Sequence, residues 1–204
     1  MIDIGVLISG GGSNLQAIMD ACKSGILKGK AMISVVISNR QDAFGLERAR
    51  KSGIPAVFIN KKDFENSAAF CEEIKKTLTK NKVDLVCLAG FLSKLEPNVV
   101  QNFKIINIHP ALLPKHGGQG MYGHYVHEAV IKAEEKESGA TVHWVDEHYD
   151  NGKIIVQEKV PVLPGDTQFT LAARVLEVEH KIFPEAILKV INGLNAKCSI
   201  NNAN

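Results

Sequence analysis

The chain has 204 residues, 45% of them hydrophobic, enough for one compact domain with a sizeable core. Its 24 basic and 22 acidic side chains are interspersed, which argues against a nucleic-acid or lipid-headgroup footprint. No apolar run approaches the ~20 residues of a bilayer span. Cys22, Cys71, Cys87 and Cys198 form no CxxC pair and read as small buried hydrophobes in a reducing cytoplasm.

Met1 to Ser9 lacks a basic leader and runs into glycines, so it reads as a first strand and not as a signal peptide. Strand-length apolar runs then alternate with helix-period segments. Strands are predicted over 2–9, 32–38, 56–59, 83–89 and 104–109. Leu15, Ile18, Met19 and Cys22 mark one helix face. Phe64, Ala68, Cys71, Ile74 and Leu78 mark another, on a helix over 62–80. Two further strands, 141–145 and 154–162, flank the turn signal Asp150-Asn151-Gly152 and predict an antiparallel pair. A helix from about Thr167 to Asn192 follows, with Pro184 as a kink and Gly193 as its stop. The fold class is therefore α/β: a doubly wound, mostly parallel sheet covered on both faces, extended by an antiparallel pair. Residues 1–193 form one domain and 194–204 a short, frayed polar tail.

Three places carry chemistry. Ser9-Gly10-Gly11-Gly12-Ser13-Asn14 joins the first strand to the first helix, where doubly wound sheets bind anions. Ser13 and Gln16 have capping-box spacing, so free N–H groups would face a phosphate. Leu15 stands where a dinucleotide fingerprint needs its third glycine, no Gly-Lys-Ser/Thr follows, and a ligand-free turn is the plain alternative. Second, Asn107 and His109 interrupt an apolar strand two residues apart. They share a face, with Ile106 and Ile108 on the other, at the carboxyl end of a strand. Pro110 and Pro114 would keep the exit extended. An amide donor beside an imidazole suits attack of a nucleophile on a carbonyl, although a satisfied core pair is the alternative. Third, a carboxylate near His109 would raise its pKa, and spacing does not choose among Asp146, Glu147 and Asp150. His124 and His127 have possible metal-ligand spacing, but no carboxylate accompanies them and no metal is expected.

Ser9 to Asn14, Ala89-Gly90-Phe91, Asn107 to Pro114 and Asp150-Asn151-Gly152, in this order, resemble the folate-dependent formyltransferases of purine biosynthesis. The likeness spans residues 2 to about 193, and SGGGSN is the mark of the glycinamide ribonucleotide group within them. What the resemblance implies is a cytoplasmic enzyme with small-molecule substrates, monomeric or homodimeric, carrying a formyl group from 10-formyltetrahydrofolate to the amine of glycinamide ribonucleotide. It places Asn107, His109 and Asp150 in catalysis, and the ribonucleotide's phosphate and ribose on Gly11, Gly12, Ser13, Asn14 and Glu179. The folate would lie against Leu92, Ser93, Lys94, Leu95, Asn107 and the segment Val145, Asp146, Glu147, His148, Tyr149. Ser67 and Ser93 stand where some members have arginines for the folate's glutamate tail. The stretch 116–123 is longer than usual and, being rich in glycine with Tyr122 and Tyr125 nearby, reads either as a lid or as an inert insertion. At this length there is no room for the extra domains of tRNA-directed or deformylating relatives. A nucleotide-binding regulatory module without chemistry is the rival of another class.

Overall fold

The computed structural model describes the backbone of residues 1–201 and the side chains of residues 1–194. In chain order the elements are β1 (Ile2–Ile8), α1 (Ser13–Lys23), β2 (Ala31–Ser38), α2 (Phe44–Lys51), β3 (Ala56–Phe58) and α3 (Ser67–Lys80). There follow β4 (Leu85–Leu88), α4 (Pro97–Val100), β5 (Lys104–His109), α5 (His124–Lys132), β6 (Glu137–Trp144), β7 (Ile154–Pro161) and α6 (Gln168–Asn201). The strands form a single sheet in the order β3-β2-β1-β4-β5-β6-β7. β1 to β5 are parallel, whereas β6 and β7 join antiparallel at the β5 edge. This is the doubly wound sheet with an antiparallel extension that the sequence pattern implies.

The two-residue period of each strand divides the core. Ile4, Val6 and Ile8 of β1, with Ile106 and Ile108 of β5, pack on one side against Leu15 and Ile18 of α1 and Phe183 and Ile187 of α6. Leu7, Val35, Ile37 and Ile105 face the other side, against Phe70, Ile74 and Leu78 of α3. Burying a side chain of this size stabilises by roughly 1.5–3 kcal/mol, so both layers are held by the same apolar force. Asn107 and His109 continue the Ile105 row to the end of β5. Because the chain leaves β1 for β2 and returns beyond β1 to β4, the carboxyl ends of β1 and β4 flank the reversal where such sheets bind ligands.

Several boundaries differ from expectation. α3 starts at Ser67 rather than near Lys62, because the Asn66 side chain accepts from the Ala69 N–H at 2.9 Å and caps the helix there. Phe70, not the exposed Ala68, fills the core face. β6 begins at Glu137, four residues early, since its ladder with β7 pairs Glu137 with Pro161. Helices α2, α4 and α5, of 8, 4 and 9 residues, are too short for the sequence pattern to announce them. Gly193 does not stop α6, which continues to Asn201: tertiary packing along Val190 and Ile191 carries the helix past a residue of poor propensity. Residues 202–204 of the expected tail, and the side chain of Cys198, lie outside the described residues. Cys71 and Cys87 are buried, while Cys22 is only partly so. No described helix is long and apolar enough to cross a membrane.

Candidate active site

The glycine turn after β1 is built by close backbone approach. Gly12 has φ +71, and a Cβ there would lie 2.7 Å from the Cα of Gly45. A Cβ on Gly45 would in turn lie 2.3 Å from Ile8 Cδ1. Gly12, in the left-handed conformation, takes the N-cap position of α1 with no side-chain cap, so the expected Ser13–Gln16 capping box does not form. Gln16 instead donates to Asp20 and accepts from Arg48. Uncapped N–H groups remain at the start of α1. Arg48 of α2 donates to the Gly11 carbonyl at 2.9 Å, which brings a cation to the turn that the sequence pattern had not singled out.

At the other end of the site, Asn107 and His109 meet residues of β6 and of the loop after it. Antiparallel register sets His143 opposite Asn107. The Asn107 amide nitrogen lies 3.2 Å from His143 Nε2 and 3.4 Å from Asp150 Oδ1. His143 Nδ1 donates to the Trp144 carbonyl at 2.8 Å, since a carbonyl only accepts, and its Nε2 lies 3.5 Å from Asp150 Oδ1 as well as beside the Asn107 amide. His109 Nδ1 is 3.5 Å from Asp150 Oδ2, and its Nε2 donates to the His116 carbonyl at 2.9 Å. Asp150, alone among the three candidate acids, reaches the pair. It holds a left-handed φ of 50°, accessible to aspartate, and Gly152 two residues on packs so tightly that a Cβ would fall 1.7 Å from the Trp144 carbonyl oxygen. Asp146 accepts from the His148 N–H, and Glu147 from Gln101, away from His109. His143 was missed on sequence grounds; its signal was its position on a strand paired with the Asn-x-His strand.

The electrostatics correct one expectation. Burial pushes the His109 imidazole below its ordinary value, and the upward pulls of Asp150 and the His116 carbonyl do not reverse it. Burial pushes the Asp150 carboxyl up, but His143, His109 and the Gly118 N–H together hold it below the usual carboxylate range. In the free protein the pair is therefore a neutral imidazole beside an ionised carboxylate. His127, buried nearby on α5, is pushed down to about 4 by burial and by His109.

A cavity of about 710 Å³ runs from this cluster to α1, a size suited to a drug-sized ligand. Asn107, His109, His143 and Asp150 line its middle. Leu92, Ser93, Lys94 and Leu95 form one wall, and Val145, Asp146, Glu147, His148 and Tyr149 the wall facing it. Lys94 Nζ sits 5.6 Å from the Tyr149 ring centre and bridges the two. The first wall is pinned from behind: Ser9 Oγ accepts from the Leu92 N–H and donates to Asn39, whose amide donates to Ser93. Asn14 and Glu179 close the opposite end, the Asn14 amide donating to the Glu179 carboxylate. Burial pushes that carboxyl up to about 7. Gly11, Gly12 and Ser13 lie beyond Asn14 and do not line the cavity itself.

The loop 118–124 forms the rim, where Tyr122 and Tyr125 stack edge to face with ring centres 5.4 Å apart. The exit from β5 is not extended: it turns at 113–116, with the Lys115 N–H donating to the Leu112 carbonyl. His124 and His127 have no third partner; no group of three or more metal-ligating side chains occurs among the described residues.

Comparison with known proteins supplies the rest. The family model described as formyl transferase matches residues 2–187. A phosphoribosylglycinamide formyltransferase of Haemophilus influenzae is 44% identical over 189 residues, covering 92% of this chain and 86% of that protein. The trifunctional purine biosynthetic protein adenosine-3 of Drosophila melanogaster is 43% identical over 192 residues, 93% of this chain but only 14% of that protein. The chain thus spans only 14% to 18% of the length of its trifunctional relatives. The crystal structure of glycinamide ribonucleotide transformylase 1 from Symbiobacterium toebii superposes with a TM-score of 0.89 at 42% identity, covering 95% of this chain and 89% of that one.

Proposed function

This chain belongs to the formyl transferase family, and we propose that it transfers the formyl group of 10-formyltetrahydrofolate to the amine of glycinamide ribonucleotide, a step of purine biosynthesis. The observation that carries the reading is the single cavity joining Asn107, His109 and Asp150 to Asn14 and Glu179, with the glycine turn just beyond. An acceptor whose phosphate rests on Gly11, Gly12, Ser13 and Asn14, and whose ribose meets Glu179, would extend its amine toward Asn107. The N–H groups at the start of α1, with Arg48 beside them, suit a dianion. The walls 92–95 and 145–149 fit a flat heteroaromatic donor: Leu92, Leu95 and Val145 supply apolar contact, while backbone groups and Asp146 supply polar edges. Residues 1–193 would form one formyltransferase domain acting on small molecules.

In the reaction the amine nitrogen bonds to the formyl carbon, the bond from that carbon to the folate nitrogen breaks, and the amine's proton passes to that nitrogen. The Asn107 amide and the His109 Nε2–H are the donors placed to meet the formyl oxygen as charge gathers on it. In the free chain both are occupied, by Asp150 and His143 in one case and by the His116 carbonyl in the other. The formyl oxygen takes their place. Asp150, held ionised, stabilises His109 when its ring gains charge and relays the amine proton through water.

The test is release of tetrahydrofolate from 10-formyltetrahydrofolate by the purified protein, with and without glycinamide ribonucleotide. Release that depends on the ribonucleotide supports the proposal. Equal release without it points to a deformylase, and none at all to a binding module.

A further inference from the structure

The turn that follows β5 touches both members of the His109–Asp150 pair. The His116 carbonyl accepts from His109 Nε2 at 2.9 Å, and the Gly118 N–H donates to Asp150 Oδ2 at 2.9 Å. His116 adopts φ 54, a left-handed conformation that is strained for a residue bearing a Cβ and persists only where its surroundings hold it. Its surroundings do. His116 Nε2 lies 3.3 Å from Glu135 Oε1, and the neighbouring Lys115 Nζ reaches both Glu135 oxygens at 3.0 and 3.1 Å. Glu135 itself sits in the short connection between α5 and β6, away from the cavity wall.

We infer that Glu135 is a positioning residue for His109: by tethering Lys115 and His116 it holds the carbonyl that keeps the His109 proton on Nε2 and turns Nδ1 toward Asp150. A carbonyl oxygen can only accept, so this contact selects one tautomer of the neutral ring. Without the tether the 115–118 turn loses its reason to keep a left-handed histidine, and the ring is free to exchange tautomers and orientations. Other ionisable groups also face His109: Asp150, His143 of β6, and His127 of α5. His116 is faced by Glu135 and Lys115. None of the other groups makes a hydrogen bond to His109 Nε2, so the proton on Nε2 depends on the His116 carbonyl, which acts against the pull of Asp150 Oδ2 at Nδ1 toward the other tautomer.

The kinetic side of the inference rests on the proposed formyl transfer; the structural side does not. The experiment is a pH titration of the His109 ring by ¹⁵N NMR in the free protein, for wild type, Glu135→Ala, Glu135→Gln and His116→Gly. Wild type should show the neutral ring protonated at Nε2. In Glu135→Ala the tautomers should mix and the midpoint should fall by about half a pH unit, the scale of one lost hydrogen bond. Glu135→Gln, which still accepts from His116 and Lys115, should lie between the two. Glycine fits φ 54 without strain, so His116→Gly should fold at least as stably as wild type and yet repeat the Glu135→Ala shift.

Because the formyl oxygen displaces the His116 carbonyl in the complex, the loss acts on the free enzyme: kcat/KM for formyl transfer should fall about threefold to tenfold, with kcat at saturation changing less. A folded Glu135→Ala or His116→Gly with the wild-type tautomer and midpoint would overturn the inference. A shifted ring in protein that transfers no formyl group, in wild type as in the variants, would uphold the positioning and refute the proposed reaction.

Discussion

The two ends of the site, the glycine turn just beyond the cavity and the side-chain cluster in its middle, are made of different material. At the glycine turn the chain contributes backbone: Gly12 and Gly45 pack within contact distance, and the groups on offer are N–H donors at a helix start. At the end of β5 the chain contributes side chains, Asn107, His109, His143 and Asp150, drawn from two paired strands and the loop beyond them. The first end is suited to hold a substrate in the ground state and transition state alike. The second has donors aimed where charge appears. Substitutions at the turn should therefore raise KM, and substitutions at the strand end should lower kcat.

The largest effect is expected from Asn107→Ala. Loss of one donor to a developing oxyanion costs about 10²-fold or more in kcat, and the ribonucleotide's affinity, read by calorimetry, should hardly move. Gly12→Ala should do the converse. Strain at a positive φ plus a 2.7 Å approach to Gly45 disturbs the helix start, so KM for the ribonucleotide should rise about tenfold while kcat for saturated enzyme falls far less. A kcat loss at Gly12 as deep as at Asn107 would erase the distinction between the two ends.

Glu179, between the ends, makes a pH prediction. Its carboxyl is raised by burial from its unfolded value to about 7, so the protonated form is the stable one in the fold. The stability it contributes is complete below about pH 4.5 and is lost as the pH rises through 7. Glu179→Gln should remove this loss and gain up to about 3 kcal/mol at pH 8 in denaturant unfolding, with little change at pH 4.5. It should also weaken ribonucleotide binding. The smallest effect belongs to Ser9→Ala, which frees the Leu92–Ser93 wall while leaving the N–H groups at the start of α1 and the cluster at the end of β5 in place: KM for the folate should rise a few-fold and kcat should stay.

What the sequence revealed follows the same division. Backbone features announced themselves, because three glycines after an apolar strand have few uses, and a two-residue period places Asn107 beside His109 without reference to any other element. The sheet and its antiparallel extension were legible for the same reason, each strand being an apolar run bounded by turn residues. Features that depend on what packs across the chain were not. His143 became part of the cluster only through the β5–β6 register, Arg48 only because α2 lies against the glycine turn, and Glu135 only because the 115–118 turn folds back to it. Composition could not rank the burial of His109 against the pull of Asp150, so the direction of its shift emerged only with the depth of the site.

The most direct measurement is a single turnover with 10-formyltetrahydrofolate labelled in its formyl carbon and glycinamide ribonucleotide, the product being read by mass spectrometry. The labelled carbon should appear on the amine of the ribonucleotide, in step with tetrahydrofolate formed, and should fail to appear with Asn107→Ala on the same time scale. Label recovered as free formate, or no release from a folded protein that binds both substrates, would contradict the proposed transfer.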